Sequence, residues 1–234
     1  GKPGADDTNR PERNTPERKR VIIFSPHPDD DVISMGGTFD RLVEQGHEVH
    51  IAYQTSGNIA VSDEEAMKFA EVALDVNGAS DKVRRIISDL NAKKEYDIDT
   101  VEVRELKGLI RRKECYAATR YLDTPDEYVH FLDLPFYETG RVKKNKLSDE
   151  DIKIMCDVIS EVKPHQIYAA GDLADPHGTH KVCLDALFMS LEILKKESFM
   201  DDCWVWLYRG AWHEWDIQDI EMAVPMSPDQ VQKK

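Results

Sequence analysis

The chain has 234 residues, of which 41% are hydrophobic, enough for one domain with a substantial core. Its 45 acidic residues outnumber its 31 basic ones and give a net charge of −14. Such a charge argues against nonspecific nucleic-acid binding, which depends on clustered lysine and arginine. No apolar run reaches the roughly eighteen residues that a membrane span needs, and no apolar signal region begins the chain. We therefore expect a protein that binds neither nucleic acid nor membrane.

The cysteine pattern bears on the compartment. The chain has four cysteines, widely spaced at positions 115, 156, 183 and 203. Because no Cys-x-x-Cys pair occurs, they indicate neither a zinc ribbon nor a disulfide framework. Four reduced, mostly packed thiols favour a cytoplasmic protein.

The first part of the chain differs in composition from the rest. Residues 1–19 are mostly Gly, Pro, Asp, Asn, Arg and Lys with hardly an apolar side chain, so we expect a linker or tail there. The folded domain is predicted to extend over residues 20–234. A start without methionine is what a domain cut from a longer protein would show.

Short apolar runs alternate with amphipathic segments along the folded part. Gly46 is predicted to close a first helix, and Ser62 with Glu65 forms a capping box for a second. This alternation predicts an α/β fold, a Rossmann-like three-layer sandwich with a mostly parallel sheet. The segment 61–98 is predicted to be a helical insertion that forms a lid or a partner surface. Strands are predicted near 20–25, 48–55, 128–132, 165–171, 203–208 and 219–224, and further helices at 80–95, 100–121, 149–162 and 179–196.

The segment Ser-Pro-His-Pro-Asp-Asp-Asp at 25–31 directly follows the apolar run of the first strand. α/β sheets hold their ligands beyond the carboxyl ends of such strands. Three consecutive carboxylates repel one another, and a divalent cation would offset that repulsion. Histidine with carboxylate oxygens suits zinc or a neighbouring first-row metal. A solvated acidic turn that caps the next helix is the alternative, and this segment alone leaves both open.

A second polar loop repeats this arrangement. Residues 172–180 follow the apolar run at 166–170 and precede the helical pattern that begins near 179. His177 and His180 are three positions apart, so on a first helical turn they share one face and can approach one ion or one substrate. Surface histidines near a helix N-terminus are the alternative reading. Two such loops in one sheet strengthen the prediction of a site.

The ordered set of motifs resembles that of the LmbE-like or PIG-L family of zinc-dependent N-deacetylases. The family's His-Pro-Asp-Asp motif stands here at 27–30 and its His-x-x-His motif at 177–180. The likeness covers roughly residues 20–185 and implies an LmbE-like fold. It extends to Thr-Ser-Gly at 55–57, Arg-Arg-Lys-Glu at 111–114 and Phe-Leu-Asp-Leu-Pro at 131–135.

The resemblance implies a metal centre with three protein ligands. These would be His27, Asp30 and His180, holding one Zn²⁺ per chain, with Fe²⁺ or another first-row metal as the alternative. Three protein ligands and one open position are the pattern of catalytic zinc, which lowers the pKa of bound water to about 7. Asp29 would be the general base. His177 would lie near the carbonyl oxygen of the scissile amide and stabilise its developing charge.

This chain departs from the family pattern at two positions. Many members have glutamate where Asp31 stands and an acidic residue where Thr179 stands. Both positions are expected to orient the metal-bound imidazoles and tune their basicity. Asp175 could take over the orienting role.

Two residues are candidates for binding substrate. The resemblance puts Arg111 near the active site, where its guanidinium could hold a sugar hydroxyl, a phosphate or an internal carboxylate. It could equally be a solvated residue paired with Glu105 or Glu114. Trp212 could stack on the apolar face of a sugar, or it could close the core over the sheet edge.

Together these features predict a metal-dependent hydrolase that removes the N-acetyl group from an amino sugar, an N-acetylglucosamine derivative that is phosphorylated or glycosidic. One alternative is a metal hydrolase acting on another bond, such as a phosphoester. The other is a non-catalytic sugar-sensing or assembly domain. The chain also resembles proteins in which an LmbE-like domain follows a glucosamine-6-phosphate deaminase domain. We therefore expect a small-molecule amino-sugar substrate and a covalently linked N-terminal domain, and a homo-oligomer stays open.

Overall fold

A single parallel sheet forms the centre of the protein. The computed structural model describes residues 17–77, 80–94, 96–141, 143–210 and 213–233. Five strands within these ranges pair in the order β3-β2-β1-β4-β5, and all four pairings are parallel. The strands are β1 (Arg20–Ser25), β2 (Glu48–Tyr53), β3 (Val129–Phe131), β4 (Gln166–Ala170) and β5 (Trp204–Tyr208).

Helices cover both faces of this sheet. Alternate residues of β1 face opposite cores, since Ile22 packs with residues of α6 and α7 whereas Ile23 packs with residues of α2 and α5. Because it is covered on both faces, β1 is an almost continuous apolar run, as inner parallel strands are. The helices are α1 (Asp30–Ile33), α2 (Gly36–Glu44), α3 (Asp63–Asn77), α4 (Asp81–Ala92), α5 (Val101–Tyr121), α6 (Asp149–Val162), α7 (Thr179–Leu194) and α8 (Pro228–Lys233).

The structure confirms the predicted α/β class with its three layers and parallel sheet. The one strand predicted wrongly is 219–224, which lies after the edge strand β5 and pairs with no strand in the described part of the chain. Its alternating apolar residues are mostly exposed, because the segment runs over the surface towards α2, where the Arg41 guanidinium donates a hydrogen bond to the Pro225 carbonyl oxygen at 2.5 Å. None of the described helices is long and apolar enough to cross a membrane.

The segment 61–98 contains α3 and α4, which pack with α5 around a small third core. The buried Lys107 of α5 connects these helices through two ion pairs. Its Nζ lies 2.6 Å from Asp63 Oδ1 and 2.8 Å from Asp99 Oδ2. Whether the segment acts as a lid or a partner surface stays a prediction. The tail predicted at residues 1–19 also stays a prediction, since residues 1–16 lie outside the described residues.

One buried carboxylate connects α6 to the loop that follows β3. Asp151 is fully buried and accepts hydrogen bonds from the Ser148 amide at 2.8 Å, the Ser148 hydroxyl at 2.6 Å and the Phe136 amide at 2.9 Å. The bond from the Ser148 amide, together with that from the Asp151 amide to Ser148 Oγ at 3.4 Å, forms a capping box at the start of α6. The bond from the Phe136 amide fixes the backbone of residues 134–137, which form a wall of the cleft described below.

We expect Asp151→Ala to lower the free energy of unfolding by about 2–4 kcal/mol, because it leaves buried amide donors without acceptors. Asp149→Ala is the matched control, since Asp149 lies exposed in the same helical turn and contributes only about 0.5 kcal/mol through the helix dipole. Urea unfolding of both variants measures the difference. Equal losses in the two variants would contradict this role for Asp151.

Candidate active site

The site lies where the strand order of the sheet reverses. Strands β1 and β4 are adjacent and parallel, and the chain extends from them in opposite directions across the sheet. The loops that follow these two strands therefore separate at their carboxyl ends and leave a crevice, the usual ligand position in open α/β sheets. His27 and Asp30 follow β1, and His180 begins α7 after β4.

Three potential ligand atoms meet in this crevice. His27 Nδ1, Asp30 Oδ2 and His180 Nε2 form a triangle in which each pair of atoms is 3.3 Å apart. Asp30 and His180 are buried, whereas 23% of the His27 side chain is exposed. The open side of the triangle therefore faces the solvent-filled crevice.

The triangle has the dimensions of a zinc site. Tetrahedral zinc with bonds of about 2.0–2.1 Å separates its ligand atoms by about 3.3–3.4 Å. Two imidazole nitrogens and one carboxylate oxygen are also donors that zinc accepts. Within the described residues, this is the one cluster in which three or more histidine, cysteine or carboxylate ligand atoms lie close together. The three residues thus fit a single zinc ion or a similar first-row metal.

The electrostatics favour a charged Asp30. Burial by itself raises the pKa of Asp30, but hydrogen bonds from His180 and His27 hold that pKa well below its usual range. For His180, burial by itself lowers the pKa. The neighbouring Asp30 carboxylate more than offsets this effect, so the pKa of His180 is raised overall. The carboxylate is therefore ionised and accepts hydrogen bonds from its histidine neighbours, and a metal ion would stabilise the same negative charge.

Asp175 organises the second loop through the backbone. Its Oδ1 accepts the His177 amide at 2.9 Å and its Oδ2 accepts the His180 amide at 3.1 Å. Burial raises the pKa of Asp175, but these amides lower it overall. Within the described residues, His180 Nδ1 and Thr179 Oγ1 are buried without a hydrogen-bond partner. The contacts of Asp175 thus support the loop, and orientation of an imidazole ring by Asp175 stays a prediction.

Asp31 lies beneath the first loop. The Tyr53 hydroxyl donates to its Oδ2 at 2.9 Å, and its backbone amide donates to Ser25 Oγ at 3.1 Å. Ser25 Oγ in turn donates to the His27 carbonyl oxygen at 2.6 Å. Burial raises the pKa of Asp31 to about 6, against the hydrogen bonds from Tyr53 and Ser25. The described contacts of Asp31 thus reach the His27 backbone through Ser25, and an effect on the imidazoles stays a prediction.

Asp29 and Arg111 stand together at the edge of the triangle. Arg111 Nη2 lies 3.0 Å from Asp29 Oδ2 and donates to the Pro28 carbonyl oxygen at 3.1 Å. Arg111 Nη1 also pairs with Glu114 Oε2 at 2.6 Å, whereas Glu105 pairs with Lys82. Arg111 therefore lies beside the site and also forms the predicted ion pair with Glu114 along its helix.

A cleft of about 570 Å³ opens over these groups. His177 is exposed at its rim, close in sequence to His180 and held at its amide by Asp175. Sequence reasoning missed two residues of the wall, Tyr137 and Lys144. The signal that could have found Lys144 is the basic run at 141–146 in an acidic chain. The walls include Asp29, Asp30, Gly57, Arg111, Tyr137, Lys144, Asp175 and His177.

The predicted substrate residue Trp212 lies outside the described residues. Nearby, the Arg209 guanidinium sits 3.6 Å from the centre of the Trp215 ring, and the His213 amide donates to Asp172 Oδ2 at 2.8 Å. A role for Trp212 in binding stays a prediction.

The chain is similar to a known protein family and to a longer bacterial protein. A family model described as PIG-L, GlcNAc-PI de-N-acetylase, matches residues 22–190. A protein of Bacteroides thetaiotaomicron described as glucosamine-6-phosphate deaminase-like is 54% identical over 248 aligned residues. The alignment covers 100% of this chain, which spans only 37% of the length of that relative.

Solved structures share the fold at low sequence identity. The N,N′-diacetylchitobiose deacetylase of Pyrococcus horikoshii is 19% identical with a TM-score of 0.53, over 86% of this chain and 64% of that one. A deacetylase of the teicoplanin biosynthetic pathway is 18% identical with a TM-score of 0.51, over 92% and 78% of the two chains. At these identities the likeness concerns the fold. From the match over residues 22–190 and the ordered motifs, the chain belongs to the PIG-L family.

Proposed function

We propose that this chain is a metal-dependent amide hydrolase that removes an N-acetyl group from an amino sugar, an N-acetylglucosamine derivative. The observation that carries the proposal is the triangle of His27, Asp30 and His180 with a carboxylate, Asp29, beside it in an open cleft. The description of the family as a de-N-acetylase supports this function. So does the fold shared with deacetylases whose names refer to chitobiose and teicoplanin.

His27, Asp30 and His180 would hold one divalent metal per chain, for which we propose Zn²⁺, with Fe²⁺ or another first-row metal as the alternative. A bound zinc ion supplies Lewis acidity and brings the pKa of a water molecule to about 7. The described residues contain one cluster of this kind, which matches a one-metal hydrolase better than a two-metal phosphoesterase.

Asp29 is the proposed general base. It is adjacent in sequence to the ligand Asp30, yet 42% of its side chain is exposed in the cleft. It takes the proton of the water molecule that attacks the acetyl carbonyl carbon. Arg111 binds one carboxylate oxygen of Asp29 and the Pro28 carbonyl, so it fixes the orientation of the base. This makes Arg111 a positioning residue as well as a candidate for contact with substrate.

His177 is proposed to act on the other side of the amide. From the rim of the cleft, its imidazole would donate a hydrogen bond to the carbonyl oxygen, where negative charge develops. As the carbon–nitrogen bond breaks, the proton that Asp29 took from water passes to the leaving nitrogen, which regenerates the carboxylate, and the products are acetate and a free amine. The cleft volume of about 570 Å³ falls in the ordinary range for small-molecule sites.

The chain is proposed to work within a longer protein. It spans 37% of a relative described as glucosamine-6-phosphate deaminase-like, which supports a covalently linked N-terminal domain and a setting in amino-sugar metabolism. A cytoplasmic location belongs to the same proposal.

We expect Asp29→Asn to keep bound metal and to reduce hydrolysis by about 10²–10⁴-fold, because general-base assistance is lost. Acetate release from N-acetylated amino sugars, measured alongside metal content, tests this. If Asp29→Asn loses metal as His27→Ala does, Asp29 is a ligand and the proposed roles are wrong.

We expect His180→Ala to lose both the bound zinc and the activity, because two of three donors cannot hold the ion in this geometry. His213→Ala is the matched control, since His213 is an exposed histidine outside the ligand cluster. Elemental analysis after dialysis against zinc should give about one zinc per chain for wild type and His213→Ala. Stoichiometric zinc in His180→Ala would refute the proposed ligand set.

A further inference from the structure

A basic segment borders the cleft of this acidic chain. Arg141, Lys143, Lys144 and Lys146 follow one another closely in a chain of net charge −14. We call these four residues the basic lip. Three of them are exposed, whereas Lys144 is turned inward, half-buried, and lines the cleft. One cation of the group therefore faces the site.

The inward position of Lys144 is held by defined contacts. Its Nζ lies 3.6 Å from the centre of the Tyr137 ring and donates to the Arg141 carbonyl oxygen at 3.2 Å. Burial lowers the pKa of Lys144 to about 8, against the attraction of Glu138. An ammonium group has three donors, and the contacts described for Nζ are one carbonyl oxygen and an aromatic face. Donor capacity is thus left for a ligand.

The backbone that carries Lys144 is also fixed. The Thr139 hydroxyl donates a hydrogen bond to the Lys143 carbonyl oxygen at 3.0 Å and accepts one from the Arg141 amide at 3.1 Å. The Asn145 amide donates to the Phe136 carbonyl oxygen at 2.9 Å. These bonds tie the lip to the same loop that Asp151 holds on α6. The backbone position of Lys144 is therefore fixed by hydrogen bonds, unlike that of a lysine on a free surface loop.

The other cation of the cleft is already neutralised. Arg111 pairs with Asp29 at 3.0 Å and with Glu114 at 2.6 Å. The contacts described for Lys144 Nζ include no carboxylate oxygen. Among the cleft residues that the structure describes, Lys144 is thus the cation best able to bind an anionic group of a ligand.

Lys144 and the proposed metal ligand His27 line the same cleft and both lie against Tyr137. The Lys144 Nζ is 3.6 Å from the centre of the Tyr137 ring, and the centre of the His27 ring is 6.2 Å from it. Substituents on opposite edges of a pyranose point away from each other, so one sugar can present its N-acetyl group to the triangle and a group on its far edge to Lys144.

We propose that Lys144 binds an oxyanion on the substrate, a phosphate monoester or a carboxylate on the edge of the sugar ring remote from the N-acetyl group. This inference rests on the proposed deacetylase function and deepens it. It makes Lys144 a specificity-determining residue: anionic amino sugars are preferred over the neutral parent sugar. Tyr137 supplies the aromatic face that positions the ammonium group.

The test compares acetate release from N-acetylglucosamine, its 6-phosphate, its C6 carboxylate (N-acetylglucosaminuronic acid) and, as a control with the anion next to the N-acetyl group, its 1-phosphate, by zinc-loaded protein. For wild type, we expect kcat/KM for the 6-phosphate or the C6 carboxylate to exceed that of the neutral sugar by about tenfold or more, mainly through KM. A preference for the 1-phosphate alone would contradict the proposed position of the anion. The preferred substrate distinguishes phosphate from carboxylate and one ring position from another.

Variants assign this preference to one side chain. Lys144→Met keeps the apolar stem on Tyr137 and should abolish the preference, measured within the variant as the ratio of kcat/KM for the anionic and the neutral sugar. Lys144→Arg should retain most of the preference, and Lys146→Met, on the exposed part of the lip, should retain all of it. Equal losses in Lys144→Met and Lys146→Met would overturn the proposal, and so would equal rates on neutral and anionic sugars.

Calorimetric binding of the amine products separates this inference from the proposed function. Wild type should bind glucosamine 6-phosphate or another anionic amine more tightly than glucosamine, and Lys144→Met should not. Such binding without any acetate release would support the oxyanion site and contradict the deacetylase function. Acetate release together with equal affinities for glucosamine and its anionic derivatives would support the deacetylase function and contradict the oxyanion site.

Discussion

The adjacency of β1 and β4 is the constraint on which the site depends. These parallel neighbours lie at the point where the strand order reverses, so their following loops open a crevice between them. His27 and His180 are 153 positions apart in sequence, yet their ring nitrogens come within 3.3 Å because their loops start from paired strands. Any change that separated these two strands would separate the ligands as well.

Buried polar groups hold the two loops that carry the ligands. Asp31 accepts a hydrogen bond from Tyr53 of β2, and its amide is joined through Ser25 to the His27 backbone. Asp175 accepts a hydrogen bond from the amide of His180 on the second loop. Because buried polar networks of this kind are costly to disrupt, they favour one loop conformation. Loops held by their own hydrogen bonds limit the entropy that the ligands would lose on binding a metal.

The set of three ligands rests on the family resemblance, whereas the approach of the loops at 25–31 and 172–180 could be predicted from sequence, because both loops directly follow apolar strands and parallel strands end at the same edge of a sheet. The contacts of Asp31 and Asp175 could not, since the side-chain direction after a strand depends on loop dihedrals. The basic run at 141–146 likewise does not reveal which lysine turns inward, because that depends on the hydrogen bonds of Thr139. The strand predicted at 219–224 failed because alternation indicates two faces but not a partner strand.

The charges of the cleft have a consequence for how an anionic sugar would enter it. Asp29, Asp30 and Asp175 are the acidic residues of its lining, whereas Lys144 lines it with its Nζ over the Tyr137 ring. A phosphate or carboxylate is repelled by the first group and attracted by the second, and both forces are stronger in a partly desolvated cleft than in water. A neutral N-acetyl group experiences neither force to the same extent. The anion would therefore select the orientation in which the amide reaches the ligand triangle, so substrate recognition and alignment for attack would arise from the same pair of opposed charges.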